Sequence, residues 1–296
     1  MKKTFLVLSA LFFAICISAQ VKNVKHVVLI GSDGFGAFIF NKHKGSFPNL
    51  ENLMKEGSST LEMRSVLPSS SAVNWASILM GAGPELHGYT EWGSKTPELP
   101  SRVIGDYGIF PGIFGQMRLK YPRAETGVIY SWEGIGYLYE KDAVNFNKLE
   151  KDDDIAVLNT ATQYLKDKRP VLSFIYFSQP DGAGHSIGWD SPEYLEACKK
   201  IDSYVGQIVQ TLKGTGMYDD AIIIFTADHG GVEKGHGGKT MQEMQVPYIV
   251  VGKPVKKGYT ISESTMVYDN AATIRYILGF GQPQVWTGRP IMSIFK

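Results

Sequence analysis

The chain has 296 residues, 44% of them hydrophobic and 20% charged, with 30 Lys and Arg set against 29 Asp and Glu. A formal net charge of +1 without any basic run excludes the positive stripe by which proteins grip nucleic acid, so no nucleic-acid groove is expected. The length allows one large domain or two small ones.

In chain order, Lys2 and Lys3 precede an almost unbroken apolar run over residues 5–17, and Ser18 and Ala19 supply small residues for cleavage before Gln20. Residues 1–19 read as a secretory signal peptide, because the run is shorter than the ~20 residues a spanning helix needs. Cys16 is not expected to carry lipid, since Ile15 stands where a lipobox has a small side chain. No later segment is long and apolar enough to span a bilayer. The protein is expected to be secreted or periplasmic, with residues 21–296 forming a single domain free of repeats and Pro/Ser linkers. Cys198 is then the one remaining cysteine. No intrachain disulfide can form, which suits a domain large enough to rest on its own core.

Short apolar runs at 26–30, 126–130, 171–177, 221–225 and 246–251 predict strands buried on both faces. Helical patterns cover 47–56, 153–168, 192–212 and 269–278, several with Pro near the start and Gly after the end. This alternation predicts the α/β class: a three-layer αβα domain around a mostly parallel central sheet. Ligands of such sheets bind beyond the carboxyl ends of the strands. Three runs end in carboxylates: Ile30-Gly-Ser-Asp33, Phe177-Ser-Gln-Pro-Asp181 and Phe225-Thr-Ala-Asp228-His229. All three should converge on one edge.

The segment Gln179-Pro-Asp-Gly-Ala-Gly-His185 places a carboxylate and an imidazole four residues apart, on one face if it turns helically. Asp228 and His229 are adjacent, and His236 follows in Lys234-Gly-His-Gly-Gly238. A lone histidine is more often simply hydrogen-bonded in place. Three of them in Gly-flanked turns beside strand-end aspartates point to divalent metal, for which oxygen and nitrogen donors are suited. His26 reads as a strand opener, His43 as a loop residue and His87 as a loop-shaping residue. The stretch from Leu67 to Gly81 reads as a loop entering a helix. A serine there is either an N-cap or, beside a metal, a nucleophile over the positive end of the helix.

Together these motifs resemble the alkaline phosphatase superfamily, and most closely its type I phosphodiesterase/nucleotide pyrophosphatase-like branch. The resemblance runs from Gly31-Ser-Asp-Gly34 to Gly235-His-Gly237. Ser71-Ala-Val-Asn74 aligns with that branch's Thr-Phe-Pro-Asn-type segment, Met80-Gly81 with its Thr-Gly, and Pro84-Glu-Leu-His-Gly88 with its Pro-Glu-Ser-His-Gly-type loop. This register selects Ser71 over Ser69 and Ser70. The resemblance implies an alkaline-phosphatase-like fold and two divalent ions, with zinc expected. Asp181, His185 and His236 would hold one ion; Asp33, Asp228, His229 and the Ser71 oxygen the other. Ser71 would attack a small phosphate ester and form a phosphoseryl intermediate. Asn74, one turn on, is the nearest side chain for donating to a phosphoryl oxygen, with helix packing as its alternative role. Tyr89-Thr-Glu-Trp92 stands where the relatives place a phosphate-binding Asn, and Ser71 where they usually have Thr, which leaves monoester against diester open.

A sulfatase shares the superfamily and a segment like Gly235-His-Gly-Gly-Lys239, but Ser71-Ala-Val-Asn74 lacks the Cys/Ser-x-Pro-x-Arg pattern its formylglycine needs. A phosphoglycerate-mutase-like enzyme would be cytosolic and carry an inserted domain. A non-catalytic binder of phosphorylated ligands would not need Ser71. Trp75, Tyr89, Trp92 and Trp132 are candidates for an aromatic leaving-group pocket, although aromatic residues are more often core.

Overall fold

The computed structural model describes residues 21–296, and the expected signal peptide lies outside the described residues. Eight strands form one sheet: β1 (His26–Ser32), β2 (Ser58–Arg64), β3 (Thr126–Tyr130), β4 (Phe146–Leu149), β5 (Leu172–Phe177), β6 (Ala221–Thr226), β7 (Gln245–Gly252) and β8 (Tyr259–Thr260). Their order is β4-β3-β5-β1-β6-β7-β2-β8. The first five in that order pair parallel. β7 is antiparallel to both β6 and β2, and β2 pairs parallel with β8, so β7 alone runs against the rest. The sheet is therefore mixed and mostly parallel.

Among the described residues ten α-helices flank the sheet: α1 (Phe38–Lys42), α2 (Pro48–Glu56), α3 (Ser71–Met80), α4 (Pro84–His87), α5 (Ile113–Lys120), α6 (Asp154–Lys168), α7 (Asp181–Ser186), α8 (Pro192–Gly214), α9 (Met241–Met244) and α10 (Asp269–Leu278). Their limits follow local chemistry. The Asp153 side chain accepts from Ala156 N at 2.9 Å and starts α6. Ser191 accepts from Tyr194 N at 3.1 Å and starts α8, with Pro192 in the first turn. Gly81 and Gly279 end α3 and α10 in the left-handed region.

Side-chain direction shows three layers. On β1, a Cβ at Gly31 would lie 2.5 Å from the Trp75 ring, so the glycine lets α3 settle onto the sheet backbone. Gly31 is level with Tyr176 of β5, which faces the same way. Gly127 of β3 is level with Ser173, three residues from Tyr176 and so on the other face, and there Tyr164 of α6 covers it. The helices divide accordingly: α3, α5 and α10 pack together on one side, α2, α6 and α8 on the other.

Every residue of β1, β5 and β6 is buried. Their register sets Ile30 level with both Ile175 and Phe225, so the three carboxyl ends finish side by side. Among the described residues no helix is long and apolar enough to cross a membrane.

Candidate active site

Asp33 follows β1 directly, and the chain then turns at Gly34 with φ 67°. The Asp33 carboxylate is buried and its two oxygens have different duties. Oδ2 accepts from the Tyr176 hydroxyl and, at 3.0 Å, from Trp75 Nε1. Oδ1 is left facing Ser71 Oγ at 3.4 Å and His229 Nε2 at 3.4 Å. Asp228, two residues past β6, divides its oxygens in the same way. Oδ1 accepts from Gly34 N at 3.1 Å, while the buried Oδ2 lies 3.3 Å from His229 Nε2 and has no hydrogen-bond partner.

On the other side of β1, the loop after β5 leads into α7, whose first residue is Asp181. One helical turn puts His185 above it, with Nε2 3.5 Å from Asp181 Oδ1. His236 arrives from the glycine-rich loop after β6, its Nε2 3.1 Å from His185 Nε2 and 3.9 Å from Asp181 Oδ1. Asp181 Oδ1 is buried without a hydrogen-bond partner.

Each imidazole is oriented by its other nitrogen. Nδ1 of His185 donates to Lys234 O at 3.0 Å, that of His229 to Gly230 O at 2.7 Å, and that of His236 to Ser69 O at 3.0 Å. A carbonyl only accepts, so Nδ1 keeps its proton in all three and Nε2 is the atom free to take a metal. The structure thus brings together two groups, Asp181–His185–His236 and Asp33–Asp228–His229, each with its ligand atoms within 4.8 Å of one another. His229 and His236 stack at 3.8 Å between ring centroids and join the groups.

The electrostatics match a shortage of positive charge. Burial, then the charge of Asp33, pushes Asp181 up to about 7 and holds Asp228 well above the carboxylate range. Burial opposes ionisation of Asp33 too, but His229, Tyr176 and Trp75 hold it below its ordinary value. Burial would depress His229, yet Asp228 and Asp33 draw it up to about 10. Burial and the neighbouring His229 lower His236 to about 4. Unpartnered carboxylate oxygens facing imidazole nitrogens are the donor set of a divalent-metal site, and both groups fit one.

Ser71 is the first residue of α3, with its Oγ 3.2 Å from His229 Nε2. Asn74, expected as a donor to a phosphoryl oxygen, bonds the preceding loop in this structure. Its Nδ2 is directed to the carbonyls of Ser70, Pro68 and Val66, and its Oδ1 accepts from Val66 N at 2.7 Å. These bonds tie the preceding loop to α3. Of the four candidate pocket aromatics, Trp75 and Tyr89 are core. Trp92, 67% exposed, and Trp132 line a cavity of about 360 Å³ together with Ser71, Asp33, Asp181 and His236. His87 is loop-shaping: it is buried, bonds Ser77 Oγ at 2.9 Å and accepts from Tyr89 N, and burial drives it down to about 3.

The family model for type I phosphodiesterase / nucleotide pyrophosphatase matches residues 27–107 and 113–239, a span holding both groups and Ser71. The chain belongs to this family. Within it, the chain is 26% identical over 225 residues to the bis(5'-adenosyl)-triphosphatase ENPP4 of Pongo abelii, covering 69% of this chain and 47% of that protein. It is 28% identical over 219 residues to the human ectonucleotide pyrophosphatase/phosphodiesterase family member 1, covering 70% of this chain and 24% of that protein. The chain therefore matches about half or a quarter of the length of these curated relatives. In fold it is similar to an inactive variant of murine ectonucleotide pyrophosphatase/phosphodiesterase 5 in complex with AMP, with a TM-score of 0.75 at 15% identity, over 92% of this chain and 100% of that one. A 2-O GAG sulfatase shares the fold with a TM-score of 0.72 at 13% identity, over 90% of this chain and 73% of that one.

Proposed function

We propose that residues 21–296 form a single catalytic unit, a two-metal phosphoesterase exported through the apolar leader at residues 1–19, with zinc as the resident ion. The observation that carries this reading is the meeting of Ser71 Oγ with Asp33 and His229, beside a second ligand group at the same sheet edge. Family membership supports phosphoric ester bonds as the target, and the AMP held by the murine relative supports a nucleotide ester among the substrates.

Asp181, His185 and His236 would hold one ion; Asp33, Asp228, His229 and the Ser71 oxygen the other. Bound there, divalent ions supply charge compensation and a lowered hydroxyl pKa. The chain supplies the rest. Ser71 stands at the positive end of α3, which favours its alkoxide. Its Oγ attacks phosphorus, the P–O bond to the leaving alcohol breaks, and a phosphoseryl ester forms. Water then cleaves that ester, so two in-line displacements leave the configuration at phosphorus retained. Trp92 and Trp132, which line the cavity, would flank the leaving group.

The test is hydrolysis of bis-p-nitrophenyl phosphate, p-nitrophenyl phosphate and p-nitrophenyl sulfate, with metal content measured on the same sample. Nitrophenol from a phosphate ester at two ions per chain is expected. Release from the sulfate alone would make the protein a sulfatase, and no release from any ester would make it a binder.

A further inference from the structure

Two aromatic side chains outside the ligand groups direct their only hydrogen-bond donors at the same atom. Trp75 Nε1 and the Tyr176 hydroxyl both donate to Asp33 Oδ2, and all three residues are buried. An indole has one N–H and a phenol one O–H, so neither donor has another use. Packing alone does not account for the arrangement. Trp75 meets Tyr176 edge-on at 5.2 Å and Phe174 at 5.5 Å, and phenylalanines at 75 and 176 would fill much of that space. What they would not do is occupy one oxygen of a buried carboxylate.

The consequence for Asp33 is directional. With Oδ2 taken twice, the carboxylate can offer only Oδ1 to the ligand group, and Oδ1 is the oxygen 3.4 Å from both Ser71 Oγ and His229 Nε2. Asp228 is restricted in the same way by a single donor, Gly34 N. Trp75 adds a second link: it lies one turn beyond Ser71 on α3, so the helix that carries Ser71 also grips Asp33. The seat for the indole is Gly31 on β1, two residues before Asp33. Tyr176 reaches Asp33 from the neighbouring strand, level with Gly31.

We infer that Trp75 and Tyr176 are positioning residues for metal binding: they hold Asp33 to one-oxygen ligation and fix the Ser71 helix to the site that ligation forms. This rests on the two-metal reading above. Removing a hydrogen bond of this kind behind a metal ligand lowers metal affinity by roughly 10–100-fold.

The experiment is zinc titration of metal-free wild type, Tyr176→Phe and Trp75→Phe against a chromogenic chelator, with metal-free melting temperatures recorded alongside. In each variant one of two zinc ions should bind about 10–100-fold more weakly while the other keeps its affinity. The phosphoesterase activity missing at low free zinc should return as zinc is raised, with KM for the ester unchanged. Cobalt substitution should show an altered visible spectrum at the weakened site. Wild-type affinity at both sites in the variants would overturn the inference and leave the two-metal reading standing. Equal weakening at both sites, with a lower metal-free melting temperature, would also overturn it, since the two residues would then be only packing. A wild type that binds no zinc would instead remove the proposed function. Because Tyr176→Phe deletes a single oxygen, it decides the matter should Trp75→Phe fail to fold.

Discussion

In the proposed reading Ser71 would add one oxygen to a group that already brings together three candidate ligands, Asp33, Asp228 and His229. Ser71→Ala should therefore keep both metals and lose turnover by roughly 10³-fold or more, as removal of a covalent nucleophile does. Metal analysis beside an activity assay checks both halves; a variant as fast as wild type would end the covalent mechanism. The ligand groups should also separate by substitution. Asp181→Ala or His236→Ala should leave one ion per chain by emptying the α7 group, and Asp228→Ala should leave one by emptying the β1–β6 group, each with turnover down by orders of magnitude. The residues of these groups are readable in sequence because each is a ligand type in a glycine-flanked turn at a strand end. Asn74 reads equally well as a phosphate donor, and only the path of the Val66–Ser70 loop, which brings three carbonyls around its amide, reveals otherwise. Tyr176 carries no signal at all, since its partner is set by the β1–β5 register.

Among the elements, buried parallel strands and capped helices can be read with ends displaced by a residue or two. The Pro192 helix runs to Gly214 and β1 continues through Ser32. β2 and β4 are not visible as apolar runs, because Ser58–Arg64 alternates buried with exposed residues toward its end and Phe146–Leu149 is an edge strand with no buried residue. β7 looks like its parallel neighbours, for an apolar run reports that both faces are covered and not which way the strand points. One helix depends on a residue far from its own sequence. The N-cap of α5 is Gly112, which has no side chain for capping, and Glu140 accepts the Gly112 N–H instead. Burial pushes Glu140 up from its ordinary value to about 7. The unfolded chain releases this proton near 4.5, so the contribution to stability is full below that pH and declines as pH rises to about 7. Glu140→Gln should flatten denaturant-measured stability across that window and be the more stable form at pH 8, by about 2–3 kcal/mol. An unchanged slope would show that Glu140 is ionised in the fold.

For the whole molecule, the two groups draw on segments 33, 181–185 and 228–236, which also meet through Asp181 N to Asp33 O at 3.0 Å and His185 Nδ1 to Lys234 O at 3.0 Å. Ions that bind the folded chain and not the unfolded one stabilise it by about 3 kcal/mol at a hundredfold excess over Kd. In a protein of this size that is worth roughly 5–10 °C in melting temperature. Chelation should lower the melting temperature by that amount, and zinc should restore it; an unmoved transition would mean that the groups do not load.

Of the six residues of these groups, Asp33, Asp228 and His229 lie within three residues of a strand end, and Asp181 and His185 stand on α7. His236 alone hangs from a long loop in which Gly230, Gly231, Gly235, Gly237 and Gly238 surround it, a loop held at its flanks by Trp189 N to Glu233 O at 2.8 Å and Ser69 Oγ to Gly238 O at 2.6 Å and at the ring by Ser69 O. Such a tether loses more chain entropy on being pinned than a strand end does. The two ions should accordingly differ in residence time rather than only in affinity. The ion sharing His236 should escape first as the loop opens, and the one under Asp33 and Asp228 should wait on the rigid sheet edge. Mixing the loaded protein rapidly with excess chelator should thus release zinc in two phases of equal amplitude, and His236→Ala should abolish the faster one.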